Sequence, residues 1–206
     1  MVNTFLAHDL LWGMTPASLP ADAPGWVIES ISADQPVVVR RAVSAPGHIA
    51  VGVRGRLREQ RYATVMRVDS IKRRVRPEEL CHAVIARDLP VARALHQLRP
   101  MLDASGWVWG VSGSAGFELA SGFLALHEGS DLDLILRTPQ PLARSGAQQL
   151  LRVLDTAECV VDLQLQTPFG AVALREWAGS ARRVLLKNAH EACLVVDPWN
   201  PQEQAA

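Results

Sequence analysis

Two aspartates spaced i, i+2, Asp131 and Asp133, open the apolar run Ser130-Asp131-Leu132-Asp133-Leu134-Ile135-Leu136 and follow a small-residue turn, Gly110-Val111-Ser112-Gly113-Ser114-Ala115-Gly116. Side chains two apart on a strand share a face, so both carboxylates are expected to point at one spot while Leu132 and Leu134 face the core. Adjacent carboxylates repel unless a cation lies between them. The natural occupant is Mg²⁺, which takes one or two carboxylates and fills its octahedron with water and phosphate oxygens. Gly113 permits a turn with φ > 0, and Ser114 with neighbouring backbone amides can hold a phosphate oxygen at a helix start. This chemistry is transfer of a phosphorus-containing group.

A third acid, Asp162, is flanked by Val160, Val161 and Leu163. An acid inside such a strand is costly unless it is compensated. If its strand pairs beside that of Asp131, three carboxylates converge, and the third can hold a metal or take the proton from an attacking hydroxyl. The alternative is a solvent-facing residue on a half-exposed edge strand. For anionic ligands the chain offers Arg54, Arg56, Arg58 and Arg61, with Lys72, Arg73, Arg74 and Arg76 following, and Lys187 in a basic C-terminal segment. Arg54, Arg56 and Arg58 alternate, so on an extended segment they share one face. They either clamp phosphates or keep a strand edge charged against aggregation.

The elements that must position these residues follow from periodicity and punctuation. Strands are expected over Trp26–Ile31, Val37–Val43, Ile49–Arg54 and Tyr62–Val68, separated by Ala33-Asp34-Gln35-Pro36 and Ala45-Pro46-Gly47. At Pro77-Glu78-Glu79 a helix start is expected, with apolar residues at helical spacing through Leu80, Val84, Ile85 and Leu89, and after Pro90 through Val91, Leu95 and Leu98. Beyond it come a strand over Trp107–Val111, partial helix in Phe117–Leu126, a strand over Leu132–Arg137, a helix over Ala143–Leu154 and strands over Cys159–Leu165 and Ala192–Val196. The expected fold is α/β (α+β): a small strand-rich, basic binding domain over residues 1–76 and a catalytic domain with helices on a mixed sheet over residues 77–206, the site in the cleft between them.

With 206 residues and nearly half of them apolar, the chain can build a proper core. It has no run of membrane-spanning length, and MVNTFLAHDLLWG lacks the basic start and long apolar stretch of a signal peptide, so a cytoplasmic protein is expected. Cys81, Cys159 and Cys193 lack metal-ligand spacing and are expected to be reduced core residues. The zero net charge hides an asymmetry: residues 1–100 hold 14 Lys+Arg against 9 Asp+Glu, a charge of +5, and residues 101–206 hold 7 against 12, a charge of −5. Most of the cations are Arg, whose planar fork suits phosphate oxygens. A nucleic-acid partner is disfavoured, because one Tyr and four Phe leave few stacking platforms.

The order Gly-Ser, Asp-x-Asp strand, then a lone Asp on the next strand resembles the nucleotidyltransferase superfamily related to polymerase β. Within it, Trp109-Gly110-Val111-Ser112-Gly113-Ser114-Ala115-Gly116-Phe117-Glu118, Ser130-Asp131-Leu132-Asp133-Leu134 and His8-Asp9-Leu10-Leu11-Trp12 are similar to the malonate decarboxylase holo-acyl-carrier-protein synthases, also called phosphoribosyl-dephospho-CoA transferases. The resemblance spans the chain. It implies a polymerase-β-like palm and transfer of the 2′-(5″-phosphoribosyl)-3′-dephospho-CoA group from a triphosphate donor to a serine of the malonate decarboxylase carrier protein, with release of pyrophosphate. It also implies that Asp131 and Asp133 bind Mg²⁺, that Asp162 completes the site, and that His8 and Asp9 have a docking or structural role. The readings set against it are another nucleotidyltransferase, of the citrate lyase type or adenylylating, and a non-catalytic anion- or RNA-binding module.

Overall fold

The computed structural model describes residues 5–57 and 59–202 and has an α+β architecture built on two sheets. The first is antiparallel, in the order β4-β3-β2-β1-β5, from β1 (Leu10–Trp12), β2 (Val37–Val39), β3 (His48–Arg54), β4 (Arg61–Arg67) and β5 (Arg73–Val75). Alternation splits its side chains. Leu11, Val37, Val39, Val51, Val53 and Met66 form one apolar face, closed by Val27 and Ile31 of helix α1 (Gly25–Ser32). Leu10, Trp12 and Val75 turn the other way and join the larger core of the C-terminal half.

Helix α1 replaces the strand expected over Trp26–Ile31. The β-branched residues there suggest a strand, but Pro24 precedes the first turn, and Val27 and Ile31 lie i, i+4, the spacing of one helical stripe. That stripe covers the sheet while Ile28 stays 41% exposed. Strand β2 ends at Val39, short of the expected Val43, and β1 and β5 are short pairings that periodicity alone does not reveal.

The helix expected from Pro77 is a single 3-10 turn, Pro77–Leu80. Residues 81–89 are irregular, and Val84 is 78% exposed. Their carbonyls bond outside the segment: Arg99, on helix α2 (Pro90–Ala104), donates to the carbonyls of Cys81 at 2.8 Å and Ala83 at 2.7 Å.

The second sheet runs β11-β10-β9-β8-β7-β6, from β6 (Val108–Val111), β7 (Leu132–Arg137), β8 (Val161–Thr167), β9 (Gly170–Ala173), β10 (Val184–Lys187) and β11 (Ala192–Val195). Its one parallel pair, β7 with β8, is joined through helix α4 (Arg144–Leu154). Leu132, Leu134 and Leu136 of β7, with Val161, Leu163 and Leu165 of β8, are buried in the core that also takes in α2 and helix α5 (Leu174–Ala178). The opposite face carries Asp133 and Arg137 on β7 and Asp162, Gln164 and Gln166 on β8.

That polar face turns toward the first sheet. Arg41 donates to the Gln164 and Gln166 side-chain oxygens at 3.0 and 3.1 Å, and Arg137 pairs with Glu78 at 2.6 Å. All three cysteines are free, and among the described residues no helix is long and apolar enough to cross a membrane.

Candidate active site

Strand β6 delivers the chain to Ser112, and helix α3 (Gly113–Ser121) starts at once. Gly113 has φ +60°, and a Cβ at this position would run into the Asp133 carboxylate. Only glycine lets the turn close over that acid. The backbone N–H of Ser114 donates to the Asp133 carboxylate, and the N–H of Ser112 donates to the Asp133 carbonyl at 2.9 Å. The small-residue turn thus holds the acid at a helix start.

Asp133 is half-buried and directly opposite Asp162 in the parallel register, while Asp162 and Asp131 are exposed. Burial, then the charges of Asp162 and Asp131, push the Asp133 carboxyl up to about 6, against the pull of Arg54 and the Ser114 N–H. Among the described residues no group of three or more His, Cys, Asp or Glu is arranged to hold a metal ion. A carboxylate pair such as Asp133 and Asp162 could hold a cation whose remaining positions are filled by water and ligand oxygens.

Arg54 reaches in from the end of β3. Its Nη2 donates to Ser114 Oγ at 2.6 Å and to the Ala125 carbonyl at 3.4 Å, and its guanidinium lies 5.4 Å from the Phe117 ring centroid. Burial and the neighbouring Arg61 lower it to about 10, which leaves it charged at neutral pH. Beside it, a cavity of about 430 Å³ lies between the first sheet and the β6–α3 turn, lined among others by His8, Arg40, Arg54, Arg61, Ser112 and Gly113.

The arrangement brings Asp131, Asp133, Asp162, Gly113, Ser114, Arg54 and Arg61 into one region. Arg56 is not on the expected shared face, because β3 ends at Arg54; it lines a separate groove of about 750 Å³ on the far side of Arg54. Arg58 lies outside the described residues. Lys187 is opposite Ala171, which pairs with Gln166, so it stands two strands from β8 and level with a residue four beyond Asp162. It is not brought to the carboxylates.

Residues 79–198 match the C-terminal domain, and residues 6–77 the N-terminal domain, of phosphoribosyl-dephospho-CoA transferase MdcG. The chain belongs to the phosphoribosyl-dephospho-CoA transferase family. It is therefore a transferase. Proteins named phosphoribosyl-dephospho-CoA transferase from Pseudomonas fluorescens strains Pf0-1 and Pf-5 are 73% identical over 206 residues and 63% identical over 202, covering 100% and 98% of this chain and 100% and 97% of theirs. One from Azotobacter vinelandii is 53% identical over 197 residues, 93% of each chain. No solved structure matches the chain.

Within this family member the structure adds residues that spacing did not single out. Arg41, Gln164 and Gln166 join the polar sheet face to the N-terminal half; the signal was Asp162-x-Gln164-x-Gln166, a period-2 polar row. Asp9 is fully buried, accepts the Leu6 N–H at 2.9 Å and pairs with Arg74 at 2.7 Å, a structural role. His8 has φ +77°, a conformation rarely adopted by a residue with a side chain. Burial, then the charges of Arg41 and Arg137, lower it to about 4, so its imidazole is neutral at pH 7.

Proposed function

We propose that this transferase moves the 2′-(5″-phosphoribosyl)-3′-dephospho-CoA group from its triphosphate precursor to a serine hydroxyl of the malonate decarboxylase acyl carrier protein, releasing pyrophosphate. Family membership supports the transferred group. The observation that carries the reading is the Asp133–Asp162 pair beside the Gly113–Ser114 turn, a carboxylate cluster next to backbone donors at a helix start.

In this reaction the serine oxygen bonds to the α-phosphorus, the bond from that phosphorus to the bridging oxygen breaks, and pyrophosphate leaves in line. Asp131 and Asp133 would hold Mg²⁺, which would supply neutralisation of charge on the phosphoryl oxygens. Asp162, exposed near the start of β8, would take the serine proton. Arg54 adds a fixed positive charge, and its bond to Ser114 keeps the turn closed. The basic N-terminal half favours an acidic carrier surface. Three free cysteines support a cytoplasmic setting.

The test is a mass spectrum of the carrier subunit after incubation with the protein, Mg²⁺ and the triphosphoribosyl-dephospho-CoA donor. A mass gain equal to the phosphoribosyl-dephospho-CoA group, absent with Asp133→Asn, is expected. No gain with a verified donor and a folded enzyme rejects the assignment in favour of another acceptor or nucleotide.

A further inference from the structure

The cavity between the two sheets has a floor of small residues at its centre. Gly52 of β3 lies between Val38 of β2 and Ala63 of β4, so the sheet surface there is low, with the Arg40 stem beside it. The opposite wall is the β6–α3 turn, with Gly116 and Phe117 behind it. The interior is mostly apolar, but both ends are cationic. Arg54, with Arg61 directly across the β3–β4 pair, stands at the inner end, and Arg54 is bonded to Ser114 beside Asp133. At the other end is Arg40, exposed, its stem 3.4 Å from where a Gly52 Cβ would sit.

An apolar slot with cations at both ends does not match a simple nucleoside triphosphate, whose charge lies at one end. It matches a flat group carrying anions on both sides. The donor proposed above has that form: the triphosphate ends one arm, and the adenosine bears a separate 5′-diphosphate leading to the pantetheine. At about 430 Å³ the space suits a nucleoside and leaves the pantetheine outside.

Resting on the function proposed above, we propose that this cavity is the subsite for the nucleoside diphosphate half of the donor. The adenine lies between the Gly52–Ala63 floor and the turn, and its 5′-diphosphate meets Arg40. The N-terminal sheet thereby selects a donor with two anionic arms over ATP, and the carboxylates handle only the triphosphate.

The test is calorimetric titration of dephospho-CoA, which lacks the triphosphate arm, into the full-length protein without Mg²⁺. Saturable binding is expected. Gly52→Val and Ala63→Leu, both compatible with strand backbone, and Arg40→Gln should each weaken it by about tenfold or more, the order expected for losing one shaped or charge-assisted contact. Binding of Mg²⁺-tripolyphosphate should be the same in all of them. If the wild type binds dephospho-CoA and the two cavity-filling variants, shown folded by circular dichroism, bind it equally well, the subsite is wrong. It is equally wrong if the carrier is modified but dephospho-CoA does not bind. If dephospho-CoA binds, Gly52→Val abolishes that binding and the carrier is not modified, the subsite stands and the proposed acceptor falls.

Discussion

Asp133 and Asp162 face each other across the parallel β7–β8 pair, one half-buried under the Gly113 turn and the other open to solvent. Their separation in the chain is bridged by α4, so the helical crossover brings the acids level. The repulsion between them is part of why Asp133 is hard to ionise, and a bound cation would remove it.

Mg²⁺ should therefore stabilise the fold through Asp133. At a concentration about a hundredfold above its dissociation constant the gain is roughly 2.7 kcal/mol. Thermal unfolding with and without Mg²⁺ checks this: the wild type should shift upward, and Asp133→Asn should not. Equal shifts in both would place the cation elsewhere.

Arg54 links the two halves of the molecule at the site. Arg54→Ala should lower kcat by about a hundredfold, the order seen when one fixed charge facing a transition state is removed. Arg54→Lys should recover only part of this, because an ammonium is a point charge without the planar fork that reaches Ser114 and the Ala125 carbonyl together. Steady-state kinetics on the carrier decide it, and full recovery by Lys would reduce Arg54 to a charge alone.

Gly113→Ala tests the turn. A side chain at φ +60° is strained by roughly 1–3 kcal/mol, and here the new methyl also meets the Asp133 carboxylate. Tm should fall by several degrees, about 2–4 °C per kcal/mol for a chain of this size. Transfer should fall further than the stability loss explains. A variant with unchanged Tm and turnover would show that the turn tolerates another backbone path.

The acids were legible because strand chemistry made them conspicuous: Asp133 and Asp162 interrupt runs of Leu and Val, and period 2 separates them from the core positions Leu132, Leu134 and Leu163. The turn was legible from Gly113 and Ser114. Helix α1 was not, since Val27 and Ile31 fit either a strand or a helical stripe until the sheet they cover is known. Arg56 and Lys187 were grouped with the site on charge, which carries no information about where a strand ends or which strands intervene. Nor could spacing reveal the cavity, which exists only where Gly52 and Ala63 come to face the Val111–Gly113 turn.

His8 and Asp133 should act on stability in opposite directions over nearly the same pH range. Asp133 is raised from 3.8 to about 6, so the folded state binds the extra proton between those values, and the fold gains stability from this group as pH falls through that window. His8 is lowered from 6.5 to about 4, so the unfolded state binds the extra proton, and the fold loses stability as pH falls from 6.5 toward 4. The two groups move by similar amounts in opposite directions, so in the wild type these contributions largely cancel. Single variants unmask them. Urea unfolding at pH 7.5 and pH 4.5 should show Asp133→Asn more stable than the wild type at the higher pH and the difference shrinking or reversing at the lower. His8→Gln should show the converse, gaining relative stability on acidification. Parallel pH profiles for the wild type and both variants would mean that neither group is held away from its ordinary titration range.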